Sequence, residues 1–430
     1  MSASTPPAEE AETVPAAVPE RLTRRGIPRD ANLRVLAGAT LVNTAGNGAM
    51  MTTFALYFTH KIGLAATQVG LALSVAALCG MLAQVPMGHL GDVRGPREVL
   101  SALTAASGVT ALGLLVTHNL LVLCLVLGVQ AVFDRGAGAV RNGFIARIAE
   151  GGRGVEFKAY LRAVTNVGIS FGALLGGLAL AIDQTWAYLG VFALDAVTFL
   201  ATSVAVRRLP HLEPAPARAQ GAPRLQVLRD VPFVVVSLLT GIFAIHFLVM
   251  ELAIPLWIAG HTSAPNSLVA VVLLVNTVSV ALLQVRLSRG ATSVPTSARA
   301  LAFAGAWILV GFTLIAFADG QAVWVSVLLV LAGAGVHVVG EMVGSGGQWG
   351  LQMGLAPRDR QGQYQGFAGM SFSLSNIVGP PLIALLCINW GTPGWIVLGA
   401  VILAAGLLSV PVSAWALRTR ERYGVLSYTG

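Results

Sequence analysis

Twelve blocks of about twenty apolar residues, each nearly free of charge, constrain this chain more than any other feature. A helix rises 1.5 Å per residue, so roughly twenty residues cross about 30 Å of hydrocarbon. The blocks predict spans at 35–59, 67–88, 98–117, 119–143, 160–182, 185–206, 232–258, 266–285, 299–318, 321–348, 363–388 and 392–417. Only 11% of the residues are charged and 55% are hydrophobic, whereas soluble domains carry about a quarter charged residues. The expected fold class is all-α and integral to the membrane.

The formal charge of +8 would fit a nucleic-acid partner, but its distribution points to the lipid bilayer instead. Arg21, Arg24, Arg25, Arg29 and Arg34 precede the first block; Arg94 and Arg97 follow the second; Arg141, Arg147, Arg153, Lys158 and Arg162 surround the next alternate connection. Arg207, Arg208, Arg218, Arg224 and Arg229 fill the central one, and Arg286, Arg289, Arg299, Arg358, Arg360, Arg418, Arg420 and Arg422 flank the rest. Alternate loops thus collect the basic residues, and Lys61 stands alone on the other side, with Arg135 inside a block. The positive-inside rule then predicts both termini in the cytoplasm, which requires an even number of spans. A cell-membrane protein of this kind, a cytoplasmic (inner) membrane one in a bacterium, has no need of nucleic acid. Cys79, Cys124 and Cys387 lie in apolar blocks without metal or disulfide spacing, and no metal or cofactor is expected.

Residues 1–34, rich in Ala, Pro and Glu, have no apolar core that would serve as a signal peptide and read as a disordered tail. Residues 207–231 hold Pro210, Pro214, Pro216 and Pro223 with five arginines and divide the blocks six and six. The expected organisation is a first bundle over 35–206, a linker over 207–231, a second bundle over 232–417 and a tail over 418–430. The halves echo each other: Gln84-Val85 recurs as Gln284-Val285, and an acidic residue falls in the fourth block of each, Asp134 and Glu341. Paired six-helix halves with a site between them are a transporter plan.

The connection after the second block reads Gly88-His89-Leu90-Gly91-Asp92-Val93-Arg94-Gly95-Pro96-Arg97. Gly88 and Gly95 permit a tight turn and close helix approach, and Asp92 with the arginines offers opposite charges that can pair across a gate. This stretch resembles the Gly-x-Leu-Ala-Asp-Arg-x-Gly-Arg-Arg signature of the major facilitator superfamily. Val93 and Pro96 depart from it, Arg97 matches its last arginine, and Arg94 stands one residue late. The resemblance implies two six-helix bundles related by pseudo-twofold symmetry, latched on the cytoplasmic side through Gly88, Asp92, Arg94, Gly95 and Arg97. The fifth block carries Gly168, Gly172, Gly176 and Gly177, which looks like the antiporter signature Gly-x-x-x-Gly-Pro-x-x-Gly-Gly with Ala173 in place of proline. Gly168, Gly172 and Gly176 share one helix face and read as a close-packing seam. Gly379-Pro380-Pro381 in the eleventh block is its counterpart, with a kink expected.

Asp134, Arg135, Asp195, Glu251 and Glu341 fall inside blocks, where a charge at the bilayer centre costs roughly 2.5–3.5 kcal/mol on insertion scales and so faces a cavity or a partner. A carboxylate taken out of water can hold and release a proton as a cavity opens to either side. His337 and Glu341, one turn apart on one face, form the strongest proton-relay candidate. Each of these charges has a bland alternative, a structural hydrogen bond or, for Glu251, snorkelling to the surface. His246 has no carboxylate at helical spacing and reads as a packed or cavity-lining histidine. Asn43 and Asn47, with Thr44, Thr52 and Thr53, make the first block too polar to face lipid, so it should line the interior.

The leading expectation is secondary active transport by alternating access: proton-coupled efflux of a small, partly apolar molecule by a monomer. Uptake by symport or facilitated diffusion fits the same features. A polytopic enzyme or sensor is the different-class alternative, although no metal-ligand cluster, nucleophile elbow or phosphate loop occurs.

Overall fold

A computed structural model describes residues 30–149, 153–216 and 225–423. Most of the expected tails, residues 1–29 and 424–430, and positions 217–224 of the expected linker lie outside the described residues. Twelve helical rods account for the fold, and no strand occurs among the described residues. They are α1 (Ala31–Leu56), α2 (Ala66–Arg94), α3 (Pro96–Val116), α4 (Leu120–Ile148), α5 (Arg153–Ile182) and α6 (Thr185–Val206), then α7 (Val231–His261), α8 (Leu268–Ser288), α9 (Val294–Ala316), α10 (Val323–Leu355), α11 (Gln361–Ile383) and α12 (Thr392–Arg418).

Eleven of the rods are long and apolar enough to cross a membrane. The twelfth, α1, falls short through its Thr and Asn content. Its hydroxyls are satisfied locally: Thr40, Thr44, Thr52 and Thr53 each donate to a carbonyl four residues back, at 2.8 to 3.1 Å. Asp30 caps its start, accepting from the Asn32 N–H at 2.7 Å. The helix is wedged against α5 and α6, although Leu41, Val42 and Met51 are exposed on its outer face.

Rods α1–α6 and α7–α12 form two bundles, each with its own buried core: Tyr57, Phe58, Leu123 and Phe192 typify the first, and Phe243, Trp257, Ile308, Phe312 and Trp395 the second. Val85 of α2 is buried in the core of the second bundle, because α2 and α11 pack together across the divide. The start of α1, the end of α2 and the start of α11 share one end of the molecule with the close of α12, hereafter the base. There Arg420 donates to the carbonyl of Gly354 at 3.1 Å and Asp92 meets Gly362.

The α5 glycine seam closes on α1. A Cβ at Gly168 would strike the Thr44 hydroxyl, one at Gly172 the Ala45 carbonyl, and one at Gly176 would lie 2.8 Å from the Ala49 oxygen. Gly177 is a correction: a Cβ there meets nothing within 4 Å, since it is rotated about 100° from Gly176 and leaves the seam. Gly172→Val should therefore lower stability in detergent by about 3 kcal/mol through overpacking against backbone, whereas Gly177→Ala should stay within about 0.5 kcal/mol of the parent. Equal melting midpoints for the two variants would refute the seam.

One rod is broken near mid-length and another widens at its end. In α7 the regular turns stop at Ala244, and after His246–Leu248 a wide π-turn over Val249–Ala253 leads into Ile254–His261. In α11, Pro380 and Pro381 stay within the helix, and the widening follows at Ala384–Asn389. Gly379 faces α7, where a Cβ would strike a Leu248 methyl. Such wide turns free backbone carbonyls and re-aim side chains within the bilayer.

Candidate functional site: the closed base and the cavity above it

Gly95, at φ 97°, ends α2 in a conformation that strongly favours glycine, and Pro96 starts α3 at once. The turn leaves Asp92, 2% exposed, facing the first turn of α11 in the other half. Its two carboxylate oxygens accept the Gly362 and Gln363 N–H groups, each at 2.8 Å. These are orphan donors at the positive end of a helix dipole, a ready site for a carboxylate. The expected pairing of Asp92 with arginine is thus corrected: its hydrogen bonds run to backbone. Arg97 instead pairs with Glu98 at 2.6 Å and donates to the Leu209 carbonyl at 3.1 Å, while Arg94 is exposed.

The closeness of the halves here depends on glycine. A Cβ on Gly88 would strike the Gly362 carbonyl, one on Gly143 would sit 2.6 Å from the Gly362 backbone, and one on Gly366 would strike the Gln84 carbonyl. The connection after α6 lies over this contact: the Ala215 N–H reaches the Asp92 carbonyl at 2.7 Å and Arg147 reaches the Glu213 carbonyl at 2.6 Å. Arg289, directly after α8, pairs with Glu156 of α5 at 2.9 Å.

Above the base a cavity of about 380 Å³ lies between the halves, within the range of small-molecule sites. The first half contributes Gln84, Asp134, Arg135, Arg141, Lys158 and Arg162; the second contributes Phe247, Gln348, Trp349, Gln365 and Phe372. A smaller cavity within the first half is lined by Asn43, Asp134 and Arg141.

A charged contact joins the two halves at the cavity. The Arg162 guanidinium donates to Glu341 Oε1 at 2.5 Å, and the Asn276 amide of α8 donates to Oε2 at 2.9 Å. Glu341 is 2% exposed, and the guanidinium also lies 4.6 Å from the Phe247 ring centroid, a cation–π distance. Glu341 stands fourteen residues before the end of α10, about 21 Å above it at 1.5 Å per residue. A charge-assisted bond near the bilayer centre therefore holds the first half to the second.

His337 does share the Glu341 face, but its hydrogen-bond partner is His246: Nε2 of His337 lies 3.2 Å from Nδ1 of His246, both rings fully buried. His246, expected as a packed or cavity-lining histidine, is packed against α10 beside the break in α7 and lines neither cavity. His246, His337 and Glu341 bring three donor atoms within 4.8 Å of one another, a set divalent ions accept. The carboxylate already has Arg162 and Asn276, however, and the imidazoles hold each other.

The remaining charges separate. Asp134 lines both cavities, whereas its neighbour Arg135 is exposed and lines only the larger. Asp195 is fully buried and neither oxygen has a hydrogen-bond partner, so the interhelical bond considered for it is not formed. Glu251 is exposed in the π-turn of α7 and lines neither cavity, as does Asn47, which is half-buried.

Arg141, Lys158 and Arg162, counted above among loop charges, are corrected most. They lie inside α4 and α5, Arg141 and Arg162 two residues within the ends of their expected spans and Lys158 where α5 runs on before its expected start.

A model of the Major Facilitator Superfamily matches residues 36–348. The class C tetracycline resistance protein of Escherichia coli is 25% identical over 402 residues, covering 90% of this chain and 98% of that protein. A provisionally named sugar efflux transporter of Deinococcus radiodurans is 29% identical over 187 residues, 41% of this chain, and the chain spans just 45% of that relative's length. Among solved structures, a bacterial homologue of the iron transporter ferroportin in an outward-facing state gives a TM-score of 0.66 at 16% identity, covering 89% of this chain and 98% of that one. The human organic anion transporter MFSD10 (TETRAN) gives 0.64 at 14%, covering 88% and 98%. At these identities the structural likeness is one of fold.

Proposed function

This chain belongs to the Major Facilitator Superfamily, a membrane transporter, and we propose on that footing that it exports a small, partly apolar molecule in exchange for protons. The observation that carries the reading is the Glu341–Arg162 contact across a cavity whose base is closed. Proton binding at Glu341 cancels the charge that holds Arg162 and loosens the two halves from within. Loss of the proton to the other side restores the contact.

In this reading the base is cytoplasmic, and both termini with it. The basic residues Arg94, Arg97, Arg147, Arg207, Arg289 and Arg418 gathered at the base support that orientation. The structure then corresponds to an outward-facing step, with the base closed and Glu341 holding Arg162. Opening the base exposes the cavity to the cytoplasm, where the proton leaves and cargo loads. The names of the tetracycline-resistance and sugar-efflux relatives support export over uptake.

Everted membrane vesicles test the proposal. With an imposed acid interior, an exporter of this type accumulates its substrate in the lumen, and the accumulation collapses when an ionophore dissipates the gradient. Accumulation that ignores the gradient would leave a facilitator; accumulation driven only by the reverse gradient would leave an importer.

A further inference from the structure

The cavity lining is unbalanced in charge. Arg135, Arg141, Lys158 and Arg162 all reach it, and Asp134 is the one carboxylate among the lining residues. Glu341 answers Arg162 from behind the wall, and Asp134 lines the cavity with Arg141. Positive charge remains after both carboxylates are counted. Lys158 is 8% exposed, and its described hydrogen bond is to a neutral amide oxygen, Gln365 Oε1, at 3.4 Å. A cation taken out of water without an anion is costly; Lys158 is one, and the half-buried Arg141 lies on the same wall. The opposite wall presents Phe247, Trp349 and Phe372.

From this arrangement we propose that the substrate is an amphipathic organic anion, its carboxylate, sulfonate or phosphate group held by Arg141 and Lys158 and its apolar body lying on Phe247, Trp349 and Phe372. The inference rests on the transporter reading and names its substrate class. An anion so placed has its head on the first half and its body on the second. Its binding energy therefore depends on how the halves are disposed, which is the condition for cargo to bias alternating access. Lys158 also reaches across to Gln365 of α11 beside the base, so drawing its ammonium onto an anion alters a contact between the halves.

Three probes with one aromatic body separate the charge from the hydrophobic contribution: 2-naphthalenesulfonate, 2-naphthalenemethanol and 2-naphthylmethylammonium. Their binding to the purified full-length protein in detergent is measured by equilibrium dialysis, without any proton gradient. The sulfonate should bind at least about tenfold tighter than the alcohol, and the ammonium more weakly than either. Arg141→Gln with Lys158→Gln should erase the sulfonate's advantage over the alcohol, while Lys158→Arg should keep it. Equal binding of sulfonate and alcohol, preference for the ammonium, or no sulfonate binding at millimolar concentration would overturn the proposal. So would undiminished sulfonate selectivity in the double variant. A chain that selects the sulfonate here but shows no gradient-driven accumulation in vesicles would retain its substrate class and lose the proton-exchange reading. Gradient-driven transport of a neutral or cationic compound, with no sulfonate selectivity, would do the reverse.

Discussion

Glu341→Gln is expected to abolish gradient-driven accumulation in everted vesicles while leaving the protein inserted and folded. The glutamine keeps the shape of the side chain, but its one carbonyl oxygen replaces only one of the two acceptors that Arg162 and Asn276 use, and it carries neither the charge nor the exchangeable proton. Removing one partner of a buried ion pair costs about 3–5 kcal/mol in the state where the pair is formed. A loss of about 3 kcal/mol from the base-closed state corresponds to more than a hundredfold shift in the balance between closed and open forms. Two measurements follow. Accumulation should fall at least tenfold at every pH, and the residual downhill flux should lose its pH dependence, because the group whose protonation released Arg162 is gone. Arg162 and its cation–π contact with Phe247 stay in place, so a general unfolding would show as lost expression and lost melting cooperativity, which this variant should retain. Full accumulation by Glu341→Gln at neutral pH would remove Glu341 from the coupling path and turn attention to Asp134, the carboxylate that lines both cavities.

The broad architecture was legible because a bilayer imposes a length on every span and a sign on alternate loops. Twelve spans were expected on that ground; eleven of the described helices are long and apolar enough to cross a membrane, and α1, made polar by Asn43, Thr44 and Asn47, is set against α5 and α6. The α5 seam was legible at Gly168, Gly172 and Gly176, because spacing by four fixes a face. Gly177 lies one residue beyond the pattern and shows how narrow such a face is.

The cavity was legible only in part, for two physical reasons. Hydropathy places the end of a span only to within a few residues and does not tell whether a charge near that end faces a loop or a cavity. Arg141, Lys158 and Arg162 therefore looked like flanking loop charges and turned out to be the cationic wall. Spacing along one helix also reveals only local partners. Glu341 meets an arginine 179 residues away and His337 a histidine 91 residues away, and the break that aims His246 has no strong sequence mark beyond Pro255. The partners of Asp92 were unreadable for a further reason: they are backbone N–H groups, which every residue but proline carries.

The base supplies the second large effect. Gly362→Val should prevent the closed state from forming. A Cβ at Gly362 would strike the Gly88 carbonyl and lie 2.8 Å from Asp92 Oδ1, and Gly143 presses on the same backbone from α4. These obstacles are mostly main chain, so no rotamer change relieves them. The helices must separate, and separation withdraws the Gly362 and Gln363 N–H groups from Asp92. Overpacking of about 3 kcal/mol and the loss of hydrogen bonds to a charged group at roughly 1.5–3 kcal/mol each act in the same direction, enough to leave the base open. Spin labels at Arg94→Cys and Arg418→Cys, exposed positions of opposite halves, introduced after replacing Cys79, Cys124 and Cys387, would report the change as a shift of the interlabel distance to one longer population. Transport should fall to background. Gly335→Ala, where a Cβ meets nothing within 4 Å, is the control and should leave both distance and transport unchanged. Asp92→Asn should lie between the two: the contact survives sterically but loses its charge on the helix dipole, so both distance populations should appear. A Gly362→Val protein that kept the parental distance and full transport would show that the halves do not close on this glycine at all.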